Sequence, residues 1–207
     1  MALVSGDVAA LRSLLDSVGL GLGVADVREP SPRPAGPAEA AAAASMPARR
    51  RLEFLAGRRA ARRALRAVGL DCGEIPRSGR LPVFPPGRAA SISHSAGIAV
   101  AVACRPGRDL PLGCDLELGP LPREAARLVL RADEEALLAA RSVTELFSAK
   151  EAAWKALAVA EGGLRELRVS PVGDGLRVWP RADPARAVRV RVVRVGGGVF
   201  SCVVGRA

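Results

Sequence analysis

The chain has 207 residues, of which 49% are hydrophobic, and this composition excludes a generally disordered protein. Its formal net charge of +10 predicts attraction to an acidic partner, such as nucleic acid, a membrane surface, a phosphorylated ligand or an acidic protein. Aromatic residues make up 3% of the chain and tyrosine is absent, which argues against a protein that stacks nucleic-acid bases on aromatic rings.

The spacing of the cysteines bears on metal and disulfide sites, and the length of the apolar runs bears on where in the cell the protein lies. Cys72, Cys104, Cys114 and Cys202 are widely spaced without a CxxC pair, which indicates neither a zinc site nor a disulfide framework. We therefore expect a reduced, cytoplasmic protein. No apolar run approaches the length of a membrane span and no signal-peptide pattern opens the chain, so the sequence predicts a soluble protein that is not exported.

The first 48 residues show no chemical motif. Apolar spacing predicts a short helix at residues 8–18, and alternation with glycines predicts a strand at 20–27. Four prolines between positions 30 and 37 indicate a loop. The alanine-rich residues 38–45 that follow favour a second helix.

An arginine-rich helix is predicted for residues 49–68, with Phe54, Ala61 and Leu65 on its apolar face. Eight arginines and one acid, Glu53, lie between positions 49 and 66, so seven of the ten net positive charges are concentrated here. Two interpretations stay open. The arginines form a solvated helix face, or they bind phosphate, because the planar guanidinium group contacts phosphate oxygens in a two-pronged fashion.

The one histidine of the chain, His94, lies between two serines in a segment that the sequence predicts to be a turn. A loop rich in proline and glycine precedes it at residues 75–87, and a strand at 98–103 follows it. A single imidazole is too few for a conventional zinc site. His94 is therefore either structural or part of a phosphate-binding turn, to which hydroxyl and backbone N–H groups would also contribute.

Two carboxylates, Asp115 and Glu117, alternate in a predicted strand at residues 111–117 and therefore point to the same side. Adjacent carboxylates repel unless a cation lies between them. Oxygen ligands without a nearby histidine or cysteine favour Mg²⁺ over a transition metal. The alternative is a solvated edge of an exposed strand.

Two helices are predicted after this strand. Residues 123–141 contain the acidic run 133–135 and are expected to form a largely solvated helix. The second helix starts at a capping box, Ser142 to Glu145, and continues to Gly162. Its Glu151 and Lys155 share one face, either as a surface ion pair or as an acid and base at a site.

The two lysines of the chain, Lys150 and Lys155, both lie in this second helix, amid 29 arginines elsewhere. Because lysine can release its proton and arginine cannot, this retention indicates proton transfer or a point-charge contact with phosphate, unless it is chance on a solvated face. Beyond the helix, residues 164–204 alternate as strands, with a turn at Gly196, Gly197 and Gly198 and no catalytic motif.

The order of these motifs resembles the 4′-phosphopantetheinyl transferases. The resemblance rests on Ser91 to Ser95, Gly113 to Glu117, and Phe147 to Glu151 with Lys155, and it covers about residues 45 to 160. The arginine-rich segment from Arg50 to Leu65 is similar to the branch of the family typified by enterobactin synthase component D.

The resemblance implies transfer of the phosphopantetheine arm of coenzyme A onto a serine of an apo carrier protein, with Mg²⁺. In the family pattern, Mg²⁺ ligands correspond to Asp115, Glu117 and Glu151, and the group that protonates the leaving phosphate corresponds to Lys155. Catalysis is expected from Glu151, or a metal-bound water that it orients, and from Lys155. Contacts with the coenzyme A phosphates correspond to Arg50, Arg58, Arg80, Ser93, His94, Lys150 and Lys155. Glu134 matches a recurrent acidic position whose role stays open.

The family also implies an α+β fold of two similar, pseudo-symmetric halves, each a small antiparallel sheet packed on a long helix. Residues 1–104 would form the half with the coenzyme A phosphate-binding residues, and residues 105–207 the half with the metal-binding and catalytic residues. We expect a monomer that binds neither nucleic acid nor membrane, with the carrier pathway left open among polyketide, nonribosomal peptide, siderophore and fatty-acid synthesis.

Two alternatives remain. A non-enzymatic nucleic-acid-binding protein would use the basic helix from Arg49 to Arg66, but it would not explain the carboxylates that point together. A decayed family member would bind coenzyme A without turnover, against which the retained Asp115, Glu117, Glu151 and Lys155 count.

Overall fold

A computed structural model describes residues 3–30, 33–105, 107, 111–159 and 162–207. The chain divides into two compact units, one within residues 5–108 and the other formed by residues within 109–207 together with the N-terminal residues 3 and 4. Both units combine helices with antiparallel sheets, which confirms the predicted α+β class. No helix in the described part of the chain is long and apolar enough to cross a membrane.

The first unit is a three-stranded antiparallel sheet, in the order β1-β5-β4, with a long helix, α3, packed on it. A two-stranded hairpin, β2-β3, lies in the loop that follows α3. Its elements are α1 Ser5–Ser17, β1 Leu20–Asp26, α2 Pro37–Ala44, α3 Ala48–Ala67, β2 Arg77–Ser78, β3 Leu81–Pro82, β4 Ala90–Ser95 and β5 Ile98–Cys104.

Small residues let α3 lie close to the sheet. The core between them consists mainly of alanines of α3 and β5. At Gly23 of β1, a Cβ atom would stand 1.9 Å from the carbonyl oxygen of Ala60, so only glycine fits this contact. The predicted elements 8–18, 20–27, 38–45 and 49–68 are all present to within a few residues.

The segment around His94 differs from the sequence prediction. It is a strand, β4, rather than a turn, and the reversal comes only at Ala96 and Gly97, whose φ angles are 49° and 83°. The alternating pattern of Ser91, Ile92, Ser93 and His94 is compatible with a strand, and pairing with β5 along the whole of β4 stabilises it.

The second unit is a five-stranded antiparallel sheet, in the order β6-β10-β9-β8-β7, against which helix α5 packs. Leu146, Ala149 and Ala153 of α5 are buried together with apolar residues of the sheet. The helices and strands are β6 Cys114–Glu117, α4 Ala126–Val129, α5 Val143–Leu157, β7 Leu167–Val172, β8 Gly175–Pro180, β9 Val188–Val195 and β10 Gly198–Arg206, with 3₁₀ turns at Arg123–Ala125, Ala132–Ala139, Leu164–Glu166 and Pro184–Arg186.

Two helix predictions in this unit need correction. The helix expected at 123–141 is broken, because Leu130 and Arg131 have extended backbone between α4 and the following 3₁₀ turn. Helix α5 begins at the predicted Ser142 capping box, which is confirmed, but it ends at Leu157 rather than at Gly162. Its last turn is closed by Ala158, which adopts a left-handed conformation with φ 47°.

Candidate functional site

A basic cavity of about 500 Å³ lies in the first unit, between the N-terminal half of α3, the β2-β3 hairpin and β4. Its walls include Arg50, Arg58, Arg77, Arg80 and His94. This volume is typical of a small-molecule site, and the cationic lining favours an anionic ligand. The sequence had indicated all of these residues except Arg77 as phosphate contacts. The sequence feature that could have indicated Arg77 is its position three residues before Arg80.

Arg50 and His94 meet inside this cavity. The Arg50 Nη1 atom lies 2.8 Å from His94 Nε2. Because a guanidinium group only donates, Arg50 is the donor of this bond and His94 Nε2 is its acceptor. Arg50 also contacts Glu53 at 3.4 Å, and Arg49 contacts the same carboxylate. Burial acts to raise the pKa of Glu53, but the neighbouring cations outweigh it and lower the pKa.

Arg58 lines the cavity and also hydrogen-bonds to the chain segment at the cavity's edge. It is buried, its Nε donates to the carbonyl oxygen of Ile75 at 2.8 Å, and its guanidinium lies 4.5 Å from the centre of the Phe54 ring. Burial lowers its pKa to about 10. A second bond to the Pro76 carbonyl fixes the chain that leads into the hairpin bearing Arg77.

Ser93 is not brought into the cavity. Ile92 and His94 line the cavity, and successive side chains of a strand point to opposite faces. Ser93 is therefore buried on the other face of β4, although the sequence had grouped it with His94 as a coenzyme A contact.

A second cluster lies in the second unit, where α5 faces β6. The Lys155 Nζ atom donates to Asp115 Oδ1 at 2.9 Å and to the carbonyl oxygen of Cys114 at 3.0 Å. Burial acts to lower the pKa of Lys155, but the Asp115 charge and the other neighbouring negative groups, Glu151 included, outweigh it and raise the pKa. Burial raises the pKa of Glu151, with Asp115 adding to the shift and Lys155 opposing it. The predicted face of α5 thus brings Glu151 and Lys155 to Asp115.

The predicted magnesium ligands do not form a preassembled centre. Among the described residues, no three carboxylate, imidazole or thiol groups are placed to hold a metal ion together. Asp115 and Glu117 do lie two positions apart on β6, as expected, and offer the oxygen donors that Mg²⁺ prefers. Within the described part of the chain, Lys155 forms an ion pair with Asp115.

Gly113 sets the distance between α5 and β6. A Cβ atom there would stand 1.9 Å from the carbonyl oxygen of Ala152 and 2.8 Å from the Cβ of Ala156. Sequence reasoning used this glycine only as part of a motif, since nothing local reveals the helix that passes over it. Its contact holds the α5 residues beside the strand that carries Asp115.

Lys150 is not placed to bind a ligand. Its side chain is completely buried, and its ammonium group donates to the carbonyl oxygens of Val129 and Leu167 and to Glu134 Oε2, at 2.8 to 2.9 Å. All three of its donors are therefore used within the protein. Burial lowers its pKa, although the Glu134 carboxylate opposes the shift. The expected contact with a coenzyme A phosphate is thus replaced by an internal ion pair.

Glu134, whose role the sequence left open, is the centre of this internal network. Its carboxylate accepts from the backbone N–H groups of Arg131 and Val169 and forms ion pairs with Lys150 and Arg181. These bonds connect the 3₁₀ turn at Ala132–Ala139, α5 and β7. The network positions α5 within its unit.

Comparisons with known proteins agree with these observations. Residues 38–104 match the family described as the 4′-phosphopantetheinyl transferase N-terminal domain, and this stretch contains the basic cavity. Enterobactin synthase component D of Salmonella typhi is 39% identical over 119 residues, covering 52% of this chain and 48% of the relative. The Escherichia coli K12 protein of the same name is 38% identical over 119 residues, covering 52% of this chain and 55% of the relative.

The chain spans about half the length of the curated relatives that it matches. The family match and the relatives nevertheless point to the same group of proteins. Residues 38–104 are thus similar to the N-terminal domain of the 4′-phosphopantetheinyl transferases, and about half of the chain is similar to enterobactin synthase component D.

Proposed function

We propose that this chain transfers the 4′-phosphopantetheine group of coenzyme A to a serine of an apo carrier protein. The observation that carries the proposal is the basic cavity, because its arginines and histidine lie within the stretch that matches the family. The serine oxygen forms a bond to the phosphorus that bears pantetheine, and the bond from that phosphorus to the bridging oxygen breaks. Adenosine 3′,5′-bisphosphate is the leaving group.

The first unit would bind the nucleotide end of coenzyme A. Arg50, Arg80 and His94 are proposed to contact its phosphates, with Arg58 also facing the cavity and holding the rim. Four guanidinium groups around one cavity provide the charge that a phosphorylated ligand needs, and two-pronged contacts would orient it. Ser93 and Lys150 are left out of this set because their side chains are placed elsewhere.

The second unit would supply the chemistry. Glu151 is proposed to take the proton of the attacking serine, for which its raised pKa suits it. Lys155 is proposed to protonate or neutralise the leaving phosphate. We further propose that the reaction depends on Mg²⁺ held by Asp115, Glu117 and Glu151, where a bound divalent cation would neutralise charge on the pyrophosphate.

Further proposals concern the whole molecule. We propose that the two units are the pseudo-symmetric halves of a duplicated fold, since each has an antiparallel sheet packed on a long helix. We also propose a monomer that acts in the cytoplasm, where coenzyme A and apo carrier proteins would be its partners. The net charge of +10 suits an acidic carrier protein through electrostatic steering. The comparisons give no support to nucleic-acid binding.

The test is the intact mass of apo carrier proteins after incubation with this protein, coenzyme A and Mg²⁺. A gain of about 340 Da, the formula mass of the transferred group, is expected only with metal present and Glu151 intact. EDTA and Glu151→Gln are the negative controls. No gain with acyl, peptidyl or aryl carrier proteins, despite a folded protein, would refute the proposal.

A further inference from the structure

The carboxylate of Asp115 is buried, with 4% of the residue exposed. An ionised carboxylate away from water requires an opposite charge or a proton. Lys155 provides that charge, at 2.9 Å from Oδ1. In the structure, therefore, a lysine of the chain itself neutralises a residue that is proposed to bind a metal ion.

The position of Lys155 relative to Asp115 is set by the backbone. Gly113 lets α5 approach β6 to the limit of van der Waals contact, and the Lys155 ammonium also donates to the carbonyl oxygen of Cys114 on the same strand. The side chain is nevertheless partly accessible, with 28% of it exposed. A movement of the ammonium group away from Asp115 would therefore start from a side chain that already reaches solvent.

A buried hydroxyl group next to Asp115, that of Ser201, is available to contact a ligand, a water or a moved side chain at this carboxylate. Ser201 of β10 is the direct cross-strand partner of Asp115, so both side chains point to the same face of the sheet. Ser201 is completely buried, and its Oγ has no hydrogen-bond partner among the described residues. A buried hydroxyl without a hydrogen-bond partner destabilises the protein unless a ligand, a water or a moved side chain satisfies it.

We propose that Lys155 and a divalent cation are alternative partners of Asp115, so that the free protein holds its metal site closed by an internal ion pair. This inference rests on the proposed function and adds a regulation of the same site. A phosphate of coenzyme A attracts Lys155 away from Asp115 and exposes the carboxylate to the metal. Coenzyme A and Mg²⁺ therefore bind cooperatively, and by linkage each raises the affinity of the other by the same factor.

The lysine content of the chain makes a direct test possible. Lys155 and Lys150 are its only lysines, and Lys150 is completely buried. Trace labelling of the wild-type protein with an amine-reactive reagent, followed by peptide mass spectrometry, measures the two lysines separately. Mg²⁺ is expected to raise the labelling rate of Lys155 at least threefold, with Lys150 as the unreactive internal control. A Lys155 rate that does not change in saturating Mg²⁺ would overturn the proposal.

Metal affinity gives an independent measurement. Without coenzyme A, Lys155→Met is expected to bind Mn²⁺ at least tenfold more tightly than the wild type, whereas Lys155→Arg, which keeps the charge, stays near the wild type. Arg194→Met, at an exposed position of the same unit, is the matched control for the loss of one charge. Equal affinities of Lys155→Met and wild type would contradict the inference. Because neither measurement uses a carrier protein, their failure is distinguishable from a failure of the transferase proposal.

Discussion

The buried ion pair between Glu134 and Lys150 predicts effects on stability that a ligand-binding lysine would not produce. Both side chains are almost completely buried, so removal of one partner leaves the other charge in the core. Such a change typically costs about 3–5 kcal/mol in the free energy of unfolding. Replacement of both by apolar residues removes both charges and is expected to cost less than the sum of the two single changes.

The structure also predicts which single change is worse. In Lys150→Met, the Glu134 carboxylate keeps Arg181 and two backbone N–H groups, so the cost is expected at about 3 kcal/mol. In Glu134→Leu, the Lys150 ammonium keeps only two backbone carbonyl oxygens, so the cost is expected at about 5 kcal/mol. The free energy of unfolding would be measured by urea denaturation, followed by circular dichroism.

Glu135→Gln is the matched control, because Glu135 lies on the same 3₁₀ turn but is exposed. It is expected to change the free energy of unfolding by less than about 0.5 kcal/mol. The reasoning would be refuted if Lys150→Met unfolded like the wild type and only raised the KM for coenzyme A. That result would return Lys150 to the ligand-binding residues.

Three further predictions concern packing, acid stability and ligand binding. Gly113→Ala places a methyl group 1.9 Å from a backbone carbonyl oxygen and should lower the free energy of unfolding, measured by urea titration, by about 1–3 kcal/mol. Gly119 lies in open space, so Gly119→Ala should leave the free energy of unfolding nearly unchanged. Arg63 and Arg59 hold the pKa of Glu29 at about 2, against burial, so the ionised carboxylate adds about 2 kcal/mol to the free energy of unfolding above pH 5, and this contribution is lost as the pH falls through 2. When the free energy of unfolding is measured against pH in acid, Glu29→Gln should flatten the dependence, and an unchanged dependence would contradict the prediction. Arg50→Ala should weaken coenzyme A binding, measured by calorimetry, at least tenfold, and it should not lower stability because the Arg50 side chain is half exposed. Arg49 lies outside the cavity, so Arg49→Ala should bind coenzyme A like the wild type.

Local sequence signals predicted the elements that carry the candidate site. The Ser142 to Glu145 capping box starts α5 because its hydrogen bonds form within four residues. Alternation along the chain likewise predicted the strands of the second unit and the common side of Asp115 and Glu117. The helix at 123–141 failed because the bonds of Glu134 to Val169 and Lys150, distant in sequence, favour a broken path there.

The two lysines show where sequence information ends. They lie five positions apart on one helix, so their side chains point about 140° apart around its axis, and both were expected to contact coenzyme A phosphates. Composition and spacing determined that this helix carries the only lysines and that Glu151 and Lys155 share a face. Only the tertiary structure decided that Lys150 points into the core, to Glu134, and that Lys155 lies partly exposed beside Asp115. The reason is physical: the packing of distant strands against α5 determines which face of the helix loses water, so that the Lys150 ion pair is fully buried and the Lys155 side chain stays partly exposed.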